Sequence, residues 1–173
     1  MGYTHPLKDF QFCPICGEKT FLIYNEKAKK CSHCHFEYYY NTASSVAAFI
    51  INPKGELLLC RRAKAPYKGT LDLPGGFVDL HETAEEAVMR EIKEELNLRV
   101  NELSYCFSLP NTYPYSGFTI HTLDLFFECH VNSFDNMQPA DDVSEAFFAN
   151  TNAINLDDFG LISIRKGLEL FLK

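Results

Sequence analysis

Two groups of residues carry spacing that implies chemistry. The first is the acidic run Glu82, Glu85, Glu86, Glu91, Glu94 and Glu95. At about 100° per residue on a helix, Glu91, Glu94 and Glu95 fall within an arc of roughly 100°, while Val88, Ile92 and Leu96 occupy the adjacent face. One side packs and the next presents three carboxylates, which repel one another at i,i+3 and i,i+4 and therefore favour a bound cation. Hard oxygen donors select Mg²⁺ or Mn²⁺ over zinc. Arg90 is placed to pair with Glu86 or Glu94, and Pro74-Gly75-Gly76 offers backbone carbonyls beside the helix start as extra ligands.

The second group is Cys13-Pro-Ile-Cys16 and Cys31-Ser-His-Cys34, two CxxC pairs separated by fourteen residues. Two such knuckles present four thiolates to a tetrahedral Zn²⁺. A four-sulfur shell leaves no open position for water, so its expected role is structural. A segment of some 40 residues with little core gains folding free energy from such an ion. Gly17 suits the turn beneath the metal. His33 and His35 are alternative ligands that a complete cysteine shell does not need. Cys60, Cys106 and Cys129 stand alone in apolar runs and read as small core residues.

The elements that must position these groups follow from local grammar. Thr83 with Glu86 three residues later forms a capping box, which starts a helix at that point, and Asn97 suits the left-handed residue that ends one. The sequence predicts a helix over 83–96. Val46 to Ile51 and Leu57 to Cys60 read as strands joined by the turn Asn52-Pro-Lys-Gly55. Leu71 to Val78 is strand-like but broken at Pro74-Gly75-Gly76. A short strand is expected at Leu103 to Leu109, a long one at Thr119 to Val131, and a helical tail over Asn155 to Lys173. Residues 1–42, rich in Cys, Lys, His and Tyr, form a zinc ribbon, and residues 43–173 form a mixed α/β domain.

Composition narrows the function classes. With 173 residues, of which 46% are hydrophobic, the chain can bury an ordinary core, so intrinsic disorder is excluded. A net charge of -7 and a pI near 5.3 argue against a partner made of phosphate backbone or anionic lipid. Lys27, Lys29 and Lys30 are a local exception, read as a solvated turn. No run reaches the roughly 18 apolar residues of a membrane span, and Met1 to Phe12 lacks the apolar centre of a signal peptide, so a cytoplasmic location is expected. In a reducing compartment paired cysteines point to metal rather than disulfides.

The segment from Gly76 to Leu98 resembles the Nudix signature, G-x5-E-x7-R-E-U-x-E-E-x-G-U with U aliphatic. It matches at Gly76, Glu82, Arg90, Glu91, Ile92, Glu94, Glu95 and Leu98, with Asn97 in place of the last glycine. The likeness covers about residues 45 to 173 and implies an α/β/α sandwich around a mixed sheet. It further implies that Glu91, Glu94, Glu95 and the Gly75 carbonyl hold the catalytic metals and that Glu82 supports the loop-helix-loop. The implied reaction is attack of water on a pyrophosphate phosphorus, with Glu91 orienting or deprotonating the water and Glu145 as a second acid supplied by a later loop.

A zinc ribbon ahead of such a domain is similar to the NADH pyrophosphatase branch. Ser108, Pro110, Pro114 and Ser116 match that branch's S-Q-P-W-P-F-P-x-S element, with Tyr113 for its phenylalanine. Tyr113 and Tyr115 are candidates for stacking a base, or for structural aromatics in a Pro-rich loop. The branch also implies a homodimer. The activity expected is Mg²⁺-dependent cleavage of the diphosphate of a nucleoside diphosphate derivative such as NADH or ADP-ribose. The alternatives are a non-catalytic, nucleotide-binding regulatory domain and a ribbon that contacts RNA.

Overall fold

Three short strands and two CxxC knuckles build the N-terminal unit. The computed structural model describes residues 4–173. Residues 1–3, which open the stretch read as 1–42 and the Met1 to Phe12 segment, lie outside the described residues. The chain divides into two compact units, Met1–Thr42 and Ala43–Lys173. In the first, β1 (Phe21–Asn25), β2 (Ala28–Cys31) and β3 (Glu37–Tyr39) form an antiparallel sheet in that order.

The lysine turn expected in this unit is corrected. Lys29 and Lys30 belong to β2, and Lys29 is buried, its Nζ donating to the Phe10 carbonyl and lying over the Phe21 ring. Alternation along a strand sends Lys30 the other way, to pair with Glu37.

In the second unit, β4 (Ala43–Phe49) runs parallel to β8 (Phe118–Val131), which is antiparallel to β7 (Val100–Tyr115). A second sheet has the order β6 (Leu71–Asp72), β5 (Glu56–Arg62), β9 (Val143–Asn150), all antiparallel. Helix α1 (Ala84–Leu96) covers one face and α2 (Ile162–Phe171) the other, with 3₁₀ turns at Thr151–Ala153 and Leu156–Asp158.

The strands explain this layering. On β4 and the residue that follows it, Val46, Ala48 and Ile50 face the core that holds Val88, Ile92 and Leu96 of α1, while Ala47 and Phe49 face the core that holds Ile164 and Leu168 of α2. On β5, Leu58 and Cys60 take the first side and Leu57 and Leu59 the second. Strands buried on both faces read as continuous apolar runs, and helices on both faces are what bury them. The result is the α/β/α sandwich with a mixed sheet.

Three elements differ from expectation. The Asn52–Gly55 turn forms, with Gly55 N donating to Asn52 O at 2.9 Å, but β4 and β5 pair only near its tip and then diverge into different sheets. Strand β7 continues to Tyr115 instead of stopping at Leu109. The tail is a 3₁₀ turn followed by α2, not one helix from residue 155.

Candidate active site

Helix α1 starts and stops where its sequence dictates. Thr83 Oγ1 accepts from Glu86 N at 3.1 Å while Glu86 Oε2 accepts from Thr83 N at 2.8 Å, the reciprocal capping box. Asn97 adopts φ 55°, ψ 27° and closes the last turn by donating its N–H to Lys93 O at 3.0 Å. With Val88, Ile92 and Leu96 fully buried, the carboxylate face of α1 is turned toward a cleft of about 300 Å³.

Glu91, Glu94 and Glu95 all line that cleft, with unequal exposure. Glu95 is buried, and its Oε2 accepts from the Gly75 N–H at 3.0 Å. Burial pushes its carboxyl well above the ordinary carboxylate range, against the pull of that N–H and reinforced by the Glu91 charge. Glu91 is raised as well, first by burial, with Arg90 opposing. Glu94 is the exposed member, its side chain 53% accessible.

Arg90 ties the group together. Its guanidinium donates to Glu82 at 2.8 and 3.0 Å, to Glu91 at 2.9 Å, to Glu94 at 3.1 Å and to the Phe77 carbonyl at 3.0 Å. Glu82 also accepts from Asp79 N at 2.9 Å, and Arg90, then that N–H, hold its carboxyl below the usual range. Glu86, a candidate partner of Arg90, is committed to the capping box instead.

The Pro74–Gly76 break lies beside β4. The carbonyls of Pro74 and Gly76 accept from Ala48 N at 2.9 Å and Val46 N at 2.8 Å. The intervening Gly75 carbonyl receives no hydrogen bond among the described residues. A Cβ on Gly75, at φ +147°, would meet the Val46 carbonyl at 2.1 Å, and one on Gly76 would meet the Glu91 carboxylate at 2.4 Å. Glycine is required at the first by the backbone and at the second by the carboxylate.

Not every candidate reaches the cleft. Tyr113 does, its hydroxyl accepting from Arg62 at 3.2 Å and its ring standing edge-on to Phe77 at 5.5 Å between centroids. Tyr115, at the end of β7, is 60% exposed and does not line the cleft. Glu145 is corrected from a loop to β9, where it points outward and pairs with Arg61 at 2.8 Å. The preceding Asp141 and Asp142 line the cleft and share the Lys64 ammonium.

Sequence reasoning missed the rest of the cleft floor. Arg62 and Asp72 form an ion pair at 2.6 Å, with side chains only 14% and 10% exposed. Burial holds the Asp72 carboxyl above its usual range despite the guanidinium. Asp124, on β8, accepts from Ser45, Thr122, Asn111 and Ser163. The signal for both was a charged residue inside an otherwise apolar strand, a position that a carboxylate or guanidinium occupies only with partners.

The cysteine quartet forms a separate centre in the N-terminal unit. The Sγ atoms of Cys13, Cys16, Cys31 and Cys34 lie within 4.8 Å of one another, with Cys13–Cys34 at 3.6 Å and Cys16–Cys31 at 3.7 Å. A tetrahedron with metal–sulfur bonds of about 2.3 Å has edges of about 3.8 Å, so the four sulfurs fit such an ion. The knuckles close alike: Gly17 N donates to Cys13 O and His35 N to Cys31 O, with Gly17 and His35 both left-handed at φ 77° and 61°. The Cys34 N–H and the Thr20 hydroxyl bring the Cys31 thiol down to about 6, favouring the thiolate. His33 and His35 are not in the cluster.

The model of the NUDIX domain matches residues 41–168, most of the chain. The chain belongs to the NUDIX family. Among curated relatives of this Nudix chain, the NAD-capped RNA hydrolase NudC of Haemophilus influenzae is 35% identical over 115 residues, covering 65% of this chain and 43% of the relative. That of Photorhabdus laumondii is 33% identical over 109 residues, covering 63% and 42%. The Nudix chain thus spans less than half the length of the relatives it matches. Among solved structures, a NUDIX hydrolase from Nitrosomonas europaea superposes with a TM-score of 0.71 at 26% identity, covering 94% of this chain and 90% of that one.

Proposed function

We propose that the chain is a divalent-metal-dependent pyrophosphohydrolase that cleaves the diphosphate of a nucleoside diphosphate derivative, with NADH and ADP-ribose as leading substrates. The observation that carries this reading is the convergence of Glu91, Glu94, buried Glu95 and the unbonded Gly75 carbonyl on one cleft. Crowding and burial raise two of these carboxyls, and the remedy for such a cluster is a cation. The four groups would hold Mg²⁺ or Mn²⁺, which when bound supplies charge neutralisation on phosphate oxygens.

The protein groups divide the remaining work. Glu91, raised by burial, is suited to take a proton from the attacking water as its oxygen bonds to phosphorus and the bridging P–O bond breaks, leaving two phosphate monoesters. Arg90 and Glu82 hold the carboxylate face in place. Tyr113 offers an aromatic face for a base. The description of the relatives as NAD-capped RNA hydrolases supports a diphosphate of the NAD type.

The cysteine centre would hold structural Zn²⁺. Seven free cysteines suit a reducing, cytoplasmic compartment. Among the described residues no helix is long and apolar enough to cross a membrane. A homodimer, implied by the NADH pyrophosphatase branch, is checked by light scattering.

The deciding experiment is product release with Mg²⁺ across NADH, NAD, ADP-ribose, nucleotide sugars, dinucleoside polyphosphates and nucleoside triphosphates, comparing wild type with Glu94→Gln. Cleavage of one class by wild type, nearly abolished in the variant, supports the reading. Equal rates in both refute the metal assignment, and tight nucleotide binding with no cleavage selects the regulatory domain.

A further inference from the structure

The floor of the cleft carries a polar device distinct from the glutamate face. Asp124 is 5% exposed and, among the described residues, has no cation as a hydrogen-bond partner. Its Oδ1 accepts from the hydroxyls of Ser45 and Thr122, and its Oδ2 from Ser163 Oγ and Asn111 Nδ2, the last at 3.0 Å. Of these donors, Ser45, Thr122 and Asn111 line the cleft, whereas Ser163 is fully buried.

A carboxylate only accepts, so each of these groups must aim a hydrogen inward. The hydroxyls of Ser45 and Thr122 then have only lone pairs left for the cleft. The same constraint fixes the amide of Asn111 with its nitrogen toward Asp124, leaving its carbonyl oxygen as a third acceptor beside the second N–H of that amide. Free hydroxyls would rotate to suit either a donor or an acceptor. These are locked as acceptors from behind. Phe77 and Tyr113 pack edge-to-face at 5.5 Å between centroids on the same cleft, with the Arg62 guanidinium over the Tyr113 ring at 6.0 Å, and offer an aromatic wall for a planar ring.

We infer that Asp124 is a positioning residue that sets specificity, making this floor a recognition site for a planar heterocycle bearing an amino or carboxamide N–H donor, and rejecting the oxo or carboxylate counterpart. The inference rests on the proposed nucleoside diphosphate substrate. Such a ring could be the adenine or the nicotinamide of a dinucleotide. The shared chemistry is an exocyclic NH₂ facing oriented lone pairs. An oxo analogue places an acceptor against acceptors and leaves them unpaired, which weakens binding by roughly tenfold to a hundredfold.

The test is equilibrium binding to the full chain without added Mg²⁺, so that selectivity is read independently of turnover. One arm compares ADP-ribose with inosine diphosphate ribose, the other NAD with its deamidated, nicotinic acid counterpart. A preference of tenfold or more in either arm is expected, and the arm that shows it identifies the ring. In Asp124→Asn the new amide brings its own hydrogens and forces at least one hydroxyl to turn, so the preference should collapse toward parity. Ser45→Ala, which removes one acceptor and keeps the hub, should reduce it by severalfold and carries the test if Asp124→Asn does not fold. Parity in both arms for wild type, or no binding of any of the four ligands, overturns the proposal. A variant that loses affinity for both members of a pair equally overturns it too, because that is the signature of a merely structural role. Selective binding here, with no cleavage of the bound ligand once Mg²⁺ is added, would leave this inference standing and remove the hydrolase reading instead.

Discussion

Alanine at two adjacent glycines should produce opposite failures. In Gly75→Ala the new Cβ lies 2.1 Å from the Val46 carbonyl oxygen and 2.9 Å from Ala47 Cα, and backbone atoms cannot swing aside. Reaching an ordinary contact requires the two segments to part by more than 1 Å. That separation breaks the bonds from Ala48 N to Pro74 O and from Val46 N to Gly76 O in the centre of the fold. Two buried pairs lost, with strain at a positive φ, cost roughly 3–5 kcal/mol, which for a domain of this size is a fall in Tm of about 10 °C. In Gly76→Ala the Cβ meets only the Glu91 carboxylate, at 2.4 to 2.8 Å, and a side chain can rotate away. Stability should change by less than about 1 kcal/mol, while displacing Glu91 lowers turnover on the order of 100-fold. Urea unfolding and initial rates on the substrate identified by the panel separate the two. If Gly76→Ala retained turnover within a factor of two, or Gly75→Ala melted like wild type, the arrangement of the 74–76 segment against β4 and Glu91 would be refuted.

Two further predictions concern the ionisable centres. Cys13→Ser should lose the metal of the N-terminal unit and its melting transition without abolishing the fold of Ala43–Lys173; full zinc content with unchanged melting would dismiss the structural role. Because the folded pKa of Glu95 lies above its unfolded value, metal-free protein binds more protons folded than unfolded, and its stability from this group falls as pH rises out of the ordinary carboxylate range. Metal-free Glu95→Gln should therefore be more stable than wild type at neutral pH, with the gap closing as pH falls toward 4.5, by up to about 1.4 kcal/mol per unit. A gap independent of pH in calorimetry would contradict the burial of that carboxylate.

What the sequence reveals is local. Thr83, Glu86 and Asn97 bound α1 because caps act over three or four residues, and the 3.6-residue period places Glu91, Glu94 and Glu95 together without tertiary information. The cysteine knuckles are equally self-contained. Strand β9 escapes because Phe147 and Phe148 are half-buried against opposite cores, which removes the alternation that marks a strand. By sequence strand β7 stops at Leu109, before Pro110, because a proline is tolerated there only once β7 is known to be the last strand of its sheet. Asp124 and its donors come from β4, β7, β8 and α2, and Arg62 and Asp72 meet only through the pairing of β5 with β6. Such sites depend on register between distant segments, which no window of sequence contains.

Strand β7 has sixteen residues, long for an edge, and an open edge of that length is a template on which another chain can zip. Pro110 and Pro114 interrupt its row of N–H donors, and the irregular register between Tyr105 and Phe107 interrupts its straight run further back. The same prolines that mark the loop-like element in the sequence thus guard the molecule against strand-to-strand aggregation. Replacing both with residues that can donate should therefore be felt first in colloidal stability, as concentration-dependent association, before any loss of the fold.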